Sequence, residues 1–180
     1  MMFDQVPTAL SGVFMLLPIV RKDERGSFTK LYHADCFAQM GMNRPVVEQY
    51  VTSSHKGVLR GLHFQKPPHD HDKLVTCLSG EVLDVVLDLR RQSPTYGQHC
   101  CLRLNGEARM QVFVPSGCAH GFYTLSDQAE LLYSVSSVYN PEYDDGILWH
   151  SAGIDWPDQF PLVSQRDQEF QAFADFKSEF

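Results

Sequence analysis

The 180-residue sequence has no apolar run of the 18 or so residues that a membrane-spanning helix requires. Its longest uninterrupted run is Val13–Leu17, and Pro18 follows directly. The first residues, Met1–Gln5, also lack the basic start and apolar stretch that are typical of a signal peptide. We therefore expect no membrane partner for this chain.

Positive charge is also scarce. The 15 lysines and arginines are outnumbered by 22 aspartates and glutamates, which gives a net charge of -7. Proteins that bind nucleic acid through its phosphates usually have the opposite balance. We therefore expect no nucleic-acid partner, and an anionic ligand would have to be bound by positive charge that is gathered locally.

Paired cysteines are missing as well. The sequence has five cysteines, at positions 36, 77, 100, 101 and 118, which is an odd number without a CxxC spacing. Disulfide frameworks of secreted domains normally use an even number of cysteines. The cysteines therefore predict reduced thiols and a cytoplasmic location.

Repeats and long helical patterns are absent, and short apolar runs alternate with turns that contain glycine or proline. In the clearest strand pattern, Glu81–Leu89, Asp84 lies on one face and aliphatic side chains fill the other, which predicts a packed side and a wetter side. Many short strands are typical of a β-sandwich or barrel, here a single domain over residues 1–180. The other predicted strands are Val13–Ile19, Gly26–Tyr32, Val46–Ser53, Lys73–Ser79, Gln98–Arg103, Gln111–Val114, Gly121–Thr124 and Leu131–Val138.

Helix is predicted in only two places. A short helix fits His33–Met40, and a second could begin at Gln165. The C-terminal tail, about residues 168–180, has phenylalanines at roughly helical spacing, which predicts a helix that packs these rings on the barrel or on a partner subunit. These phenylalanines are Phe170, Phe173, Phe176 and Phe180.

Two polar segments stand out among the apolar strands. Leu59–Lys73 holds three of the eight histidines, and such a segment is costly to bury without a function, although a solvated loop would also explain it. Pro115–Phe122 carries His120 in a turn of small residues that leaves room for a ligand. Both segments are candidates for a functional site.

One interpretation of these histidines is a metal site. His69, His71 and His120 could supply three nitrogen ligands, and Pro115–His120 matches PxGxxH, the second half of a cupin metal motif. The first half needs a glutamate shortly after the HxH pair, where this sequence has Leu74–Thr76. The sequence therefore favours a site without metal.

The alternative is metal-free proton transfer. His63 lies between two apolar residues, where its pKa can be held near neutrality, and Lys73 could place a positive charge next to a developing oxyanion. Tyr133 and Tyr139 are six residues apart on one predicted strand, which puts them on one face. A phenol can act as a general acid when cationic neighbours lower its pKa. Each tyrosine could instead line the barrel with a satisfied hydroxyl group.

Eight short motifs occur in order between about residues 13 and 168: DERGSF (Asp23–Phe28), LRGLHFQ (Leu59–Gln65), DVVLDLR (Asp84–Arg90), SPTYG (Ser93–Gly97), PSGCAHGF (Pro115–Phe122), YNPEY (Tyr139–Tyr143), IDWP (Ile154–Pro157) and SQRD (Ser164–Asp167). Together they resemble the dTDP-4-dehydrorhamnose 3,5-epimerase family. The resemblance implies a cupin-type β jelly roll that forms homodimers and uses no metal or other cofactor. It also implies inversion of C3, C5 or both in a nucleotide-linked 4-dehydro-6-deoxyhexose.

The resemblance implies roles for several residues. His63 would be the base, oriented by Asp167, and Lys73 would stabilise the enolate oxygen. Tyr133 would return a proton from the opposite face of the sugar, with Tyr139 as a substitute or helper. Such a histidine–carboxylate pair fits the physics of a base, because the carboxylate fixes the tautomer and stabilises the imidazolium.

The resemblance also implies contacts with a nucleotide-diphosphate-sugar. Arg60 would contact the substrate, and Arg25 and His120 would lie near the diphosphate, which suits the fork of donors that an arginine presents. Arg25 and Phe28 would reach across the dimer interface. The full set of expected substrate contacts is Arg25, Phe28, Glu48, Arg60, His120, Tyr139, Glu142 and Trp149.

The sequence departs from the family pattern at a few positions. Lys30 stands where the family has glutamate, Glu48 and Tyr50 stand where it has Gln-x-Asn, and His71 stands for glutamine. The first three positions lie in the part expected to bind the nucleotide or the outer edge of the sugar. A CDP- or GDP-linked substrate and inversion at one carbon are therefore alternatives to the dTDP-sugar reaction.

Three further alternatives use the same barrel. A 3,4-ketoisomerase would move the keto group instead of inverting a carbon. A metal-dependent cupin oxygenase would need a bound metal, and a sugar-binding barrel would bind a ligand without proton exchange.

Overall fold

The computed structural model describes residues 3–180, and most of its regular structure is β-strand. No helix within that range is both long and apolar enough to cross a membrane. The helices are α1 (Ala34–Gln39) and α2 (Gln165–Gln168), with one 3₁₀ turn at Phe173–Asp175. The strands are β1 (Phe3–Pro7), β2 (Phe14–Pro18), β3 (Val20–Asp23), β4 (Gly26–Thr29), β5 (Glu48–His55), β6 (Leu59–Gln65), β7 (Lys73–Ser79), β8 (Glu81–Asp88), β9 (His99–Asn105), β10 (Gln111–Val114), β11 (Cys118–Thr124), β12 (Gln128–Val135) and β13 (Asp144–Gly146).

Two antiparallel sheets form the barrel. One has six strands in the order β1-β2-β10-β7-β12-β5, and the other has five in the order β13-β6-β11-β8-β9. Strands that are distant in sequence lie side by side, as β10 does between β2 and β7, and such crossovers are typical of a jelly roll. The predicted all-β jelly-roll barrel with a few short helices is confirmed.

Apolar side chains form three layers around these sheets. The main core fills the space between the sheets, because alternate side chains of β7, β8, β10, β11 and β12 point inward. A second cluster covers the outer face of the five-stranded sheet with residues of the chain after β13, including Ile147 and Trp156. A third cluster packs Phe37 of α1 on the six-stranded sheet, with its ring 4.9 Å from that of Phe3.

Strand β8 is buried on both faces. Val82 and Val86 belong to the core between the sheets, whereas Val85 and Leu87 belong to the outer cluster. Asp84 points inward with 0% exposure. The face of β8 that was predicted to be wetter, because it carries Asp84, therefore lines the polar part of the barrel interior. It is shielded from bulk solvent.

Strand β6 is irregular at Gly61. Its φ is +126°, and a Cβ atom there would lie 2.6 Å from the Cα atom of Gly121 on β11, so glycine permits the close approach of the two strands. The pairing shifts register between His63 and Arg60. Because this bulge adds one residue to β6, Arg60 and His63 both reach the barrel interior, although regular alternation would put them on opposite faces.

The segment Leu59–Lys73 was interpreted either as a functional site or as a solvated loop, and the structure does not support the loop. Its first half is β6, which lies between β13 and β11 in the five-stranded sheet. Strand β12 ends at Val135, so Tyr139 lies in the loop that follows, and its expected place on the same strand as Tyr133 is wrong.

The C-terminal tail does not form the predicted helix. α2 ends after Gln168, and the rest of the tail has one 3₁₀ turn and otherwise extended chain. Phe173, Phe176 and Phe180 nevertheless pack against the outer cluster, with the Phe176 ring 5.3 Å from that of Phe64. The burial of the rings was predicted correctly, but the backbone conformation was not.

Candidate active site

A cavity of about 390 Å³ lies between the two sheets. Its wall is formed by β5, β7 and β12 of one sheet and by β6 and β11 of the other. Seven of the predicted site residues line it: Glu48, Arg60, His63, Lys73, His120, Tyr133 and Tyr139. The fold thus brings together residues that are up to 91 positions apart in the sequence.

His63 is paired with Asp167 at the edge of this cavity. The Nε2 atom of His63 lies 2.9 Å from Oδ1 of Asp167. The other carboxylate oxygen, Oδ2, accepts a hydrogen bond of 3.0 Å from the backbone N–H of Gly61. Ser164 caps α2 by accepting the backbone N–H of Asp167 at 3.1 Å. The carboxylate is therefore held by two contacts and its backbone by the cap of α2, and Nδ1 is the ring nitrogen of His63 that is left to act as a base.

The ionisation of the pair suits this role. Burial lowers the pKa of His63 below its usual 6.5 and outweighs the opposing hydrogen bond with Asp167. Burial also acts to raise the pKa of Asp167, but the hydrogen bonds and charge of His63 and the Gly61 N–H outweigh it, so the pKa of Asp167 is lowered. A neutral imidazole beside a carboxylate is the resting state that a general base requires.

Lys73 places a buried ammonium group beside the histidine. Its side chain is 5% exposed, and Nζ donates a hydrogen bond of 2.9 Å to the backbone carbonyl of His63. Burial lowers the pKa of Lys73 to about 8, against the opposing charges of Asp144 and Asp84. The group therefore still carries its proton at neutral pH and can stabilise negative charge in the cavity.

Tyr133 lies on the opposite sheet from His63, where burial raises its pKa well above the usual 10. The expected lowering of this pKa by cationic neighbours is wrong, because loss of solvent dominates. The ring of Tyr133 stacks on that of Tyr50, with centroids 4.7 Å apart and planes 11° apart. The phenol therefore keeps its proton and a fixed orientation in the resting enzyme.

Comparison with known proteins decides the family. The profile of the family described as dTDP-4-dehydrorhamnose 3,5-epimerase matches residues 7–175. This chain belongs to that family. A Shigella flexneri protein named dTDP-4-dehydrorhamnose 3,5-epimerase is 40% identical over 94% of this chain and 96% of its own length. A Streptomyces niveus dTDP-4-dehydrorhamnose 3-epimerase is also 40% identical, over 94% of this chain and 83% of its own length.

Solved structures agree with this assignment. The structure of a Legionella pneumophila dTDP-6-deoxy-D-glucose-3,5-epimerase in complex with dTDP-4-keto-L-rhamnose has a TM-score of 0.92 and 34% identity to this chain. The match covers 97% of this chain and 95% of the Legionella chain. The protein is an epimerase of the dTDP-4-dehydrorhamnose 3,5-epimerase family, and a ketoisomerase, an oxygenase or a non-catalytic barrel is not favoured.

His120 forms a second buried pair beneath the cavity of this epimerase. Its Nε2 atom lies 2.7 Å from Oδ2 of Asp84, and its ring centroid lies 5.8 Å from that of Tyr133. Only 3% of His120 is exposed. His120 is therefore a buried residue of the cavity wall.

Four of the residues that the resemblance implied lie outside this cavity. Arg25 and Phe28 belong to the hairpin β3–β4, whose strands are hydrogen-bonded only to each other within residues 3–180. Glu142 is exposed on the loop before β13. Trp149 packs against the outer cluster, where its carbonyl accepts the indole N–H of Trp156 at 2.9 Å. Glu142 and Trp149 therefore have no place in the mechanism proposed below.

The sequence analysis missed several residues that line the cavity. Thr52 follows Glu48 and Tyr50 at alternate positions of β5, so strand periodicity could have indicated it. Arg166 directly precedes Asp167 in the sequence. Its Nη1 atom forms an ion pair with Oδ2 of Asp144 at 2.9 Å, and both side chains line the cavity. The remaining missed residues are Tyr50, Phe64, Gln65, His71, Val135 and Ser137.

The three histidines of the metal hypothesis have separate partners. His69 lies beside the side chain of Asn140, His71 beside that of Gln65, and His120 beside Asp84. Within residues 3–180, no group of three or more histidine, cysteine, aspartate or glutamate side chains is arranged to hold a metal ion.

Proposed function

We propose that this epimerase acts on a dTDP-linked 4-dehydro-6-deoxyhexose and inverts C3, C5 or both through an enolate. The convergence of the His63–Asp167 pair, Lys73 and Tyr133 on one cavity carries the proposal. The hydrogen atoms on the carbons next to the C4 ketone are acidic, because the electrons of the broken C–H bond move onto the carbonyl oxygen. A base on one face of the ring and an acid on the other can then invert the carbon.

The proposed steps assign one role to each group. Nδ1 of His63 removes the proton, and Asp167 stabilises the imidazolium that results. The Lys73 ammonium stabilises the enolate oxygen. Tyr133 gives its phenolic proton to the carbon from the opposite face, and both side chains then return to their resting protonation states by exchange with water.

The relatives support dTDP as the nucleotide, since both curated proteins described above are named for dTDP sugars. Those names leave the inverted carbons open, because the 3,5-epimerase and the 3-epimerase are equally similar to this chain. The test is incubation of dTDP-, CDP- and GDP-linked 4-dehydro-6-deoxyglucose in D₂O, followed by NMR. We expect deuterium incorporation and inversion with the dTDP-linked sugar, at a higher rate than with the CDP- or GDP-linked sugar. The absence of deuterium at C3 and C5 with all three substrates contradicts the proposal.

The pH dependence is expected to identify Lys73. Since burial lowers the pKa of Lys73 to about 8, its positive charge is lost as the pH rises through that value, and kcat/KM should fall there. On the acid side kcat/KM should fall as His63 gains a proton, and this fall should lie at a lower pH than for an ordinary histidine because burial lowers the pKa of His63. Lys73→Gln should lower kcat/KM by about 10²–10³-fold and remove the alkaline fall.

Lys66→Gln is the matched control for this experiment, because Lys66 pairs with Asp145 at 3.4 Å and does not line the cavity. It should keep both the rate and the alkaline fall. An alkaline fall that persists in Lys73→Gln would assign that ionisation to another group and remove Lys73 from its role.

We also propose that the protein is a homodimer in which the hairpin β3–β4 completes the partner's cavity. The hairpin leaves the Arg25 side chain 85% exposed and Phe28 64% exposed, and neither lines the cavity of its own subunit. An arginine added at the cavity mouth would supply positive charge for a diphosphate, which a chain with a net charge of -7 must gather locally. A solution mass of one 20.5 kDa subunit rather than two would contradict the dimer.

The proposed location is the cytoplasm. All five cysteines are free thiols, which supports a reducing compartment. Recovery of the protein in a periplasmic or secreted fraction of the source cells would contradict this location.

A further inference from the structure

The hydrogen bonds of Gln65 determine the tautomer of a neighbouring histidine. The Oε1 atom of Gln65 accepts the backbone N–H of Asn140 at 2.6 Å. A backbone N–H can only donate, so the amide oxygen of Gln65 must be on that side and its NH₂ group on the other. The hydrogen bond from Asn140 therefore fixes which end of the Gln65 amide is the oxygen and which is the nitrogen.

The NH₂ group of Gln65 faces three neighbouring atoms. Nε2 lies 2.8 Å from the carbonyl oxygen of His69, 3.2 Å from Nδ1 of His71 and 3.3 Å from the carbonyl oxygen of Val138. An amide NH₂ group can donate but not accept, so a proton on Nδ1 of His71 would face another donor, and this contact favours the tautomer with the ring proton on Nε2. Burial, with the nearby charge of Lys73, lowers the pKa of His71 to about 3, so the ring is neutral at working pH.

The Nε2–H group of His71 has no partner. This nitrogen is shielded from solvent and makes no hydrogen bond to any residue that the structure describes. The ring lines the cavity together with Lys73, two residues further along the chain. A buried donor without an acceptor is unfavourable, so such groups in native proteins usually have a ligand or a water molecule as partner.

We infer that His71, through its Nε2–H group, is a second hydrogen-bond donor to the C4 oxygen of the sugar, beside Lys73. This inference rests on the proposed function. A neutral donor suits this position, because a second cation would further weaken the hold of the buried Lys73 on its own proton. The two groups together form an oxyanion site with one charged and one neutral donor.

The C4 oxygen has a property that no other substrate atom shares. Whether C3 or C5 loses its proton, the negative charge of the enolate accumulates on the same oxygen. A donor to this oxygen therefore accelerates exchange at both carbons by a common factor. A group that contacts the 2-hydroxyl, the 6-methyl or the nucleotide would instead change exchange at one carbon more than the other, or change KM alone.

The experiment measures deuterium incorporation at C3 and C5 in the full-length enzyme. His71→Leu, which has no donor, should lower kcat for exchange by about 10²-fold at every carbon that the wild type exchanges. His71→Gln retains an N–H donor and should recover most of this loss. His69→Leu is the matched control from the same loop, and it should exchange at nearly the wild-type rate, since His69 does not line the cavity.

Three results would overturn the inference: no change of exchange in His71→Leu, an equal loss in His71→Gln, or an equal loss in His69→Leu. The last would show that loop order rather than the donor is responsible. If the wild type itself shows no exchange with any substrate of the panel, the proposed function fails first, and that result is distinct from the other three.

Discussion

Replacement of His63 by alanine is expected to lower deuterium incorporation at C3 and C5 by about 10²–10⁴-fold, the range typical of a lost general base. Its partner Asp167 is 4% exposed and has a lowered pKa, so this carboxylate is a poor substitute for the imidazole as a base. The measurement is the rate at which deuterium from D₂O enters C3 and C5 of the substrate, followed by NMR. Binding of dTDP should change little, because His63 is not among the residues expected to contact the diphosphate.

His55→Ala is the matched control for His63→Ala. His55 is exposed at the end of β5, outside the cavity, and its loss should leave exchange unchanged. Exchange in His63→Ala at even a tenth of the wild-type rate would mean that another group removes the proton, and the mechanism proposed here would have to be abandoned.

The partner of His63 allows a finer version of the same experiment. In Asp167→Asn the amide oxygen is expected to accept the Gly61 N–H, as Oδ2 does now, which turns the NH₂ group toward Nε2 of His63. Nε2 would then have to accept, and the ring proton would move to Nδ1, the atom that should act as the base. The variant should therefore lose exchange while its side chain keeps nearly the same shape.

Replacement of Tyr133 by phenylalanine should separate exchange from inversion. The variant loses the phenolic proton, so inversion should fall by about 10²–10⁴-fold, while proton removal by His63 continues and deuterium still enters with retained configuration. Phenylalanine keeps the ring that stacks on Tyr50 at 4.7 Å, so the fold of the site should be preserved. The measurement is the ratio of epimerised product to incorporated deuterium in one NMR time course.

Tyr123→Phe is the control for this ratio. Tyr123 is 8% exposed on β11, but its side chain belongs to the outer cluster and not to the cavity. Its ratio should equal that of the wild type. Equal losses of exchange and inversion in Tyr133→Phe would contradict the role of Tyr133 as the acid on the opposite face.

Strand periodicity predicted much of the barrel because it depends only on local residue order. Lys73–Ser79 and Gln111–Val114 have the predicted bounds, and Glu81–Leu89 differs by one residue. The strands β1, β3 and β13 were not predicted, since they are short or polar and are stabilised by their neighbours. β6 was obscured by its polar residues, which are retained inside the barrel because they face a cavity.

The tail shows why spacing alone is insufficient. Four phenylalanines at roughly helical intervals predicted a helix, but the tail is mostly extended, and three of the rings still reach the outer cluster. Phe170 instead lies 5.8 Å from the ring of His63 and under the guanidinium of Arg166. Contacts with the outer face of the sheet outweigh the local preference, because a short isolated helix is only marginally stable.

Residue order was enough to predict the β-barrel, the resemblance to the family and the candidate proton-transfer residues, because alternating apolar residues and ordered motifs are properties of the chain order. The folded structure was needed to show which nitrogen of His63 faces Asp167 and that Glu142 and Trp149 lie away from the cavity. It also supplies the contacts from which the tautomer of His71 is inferred. It also placed Arg60 beside His63 through the bulge at Gly61. These features depend on contacts between segments far apart in the chain, and local periodicity contains no information about them.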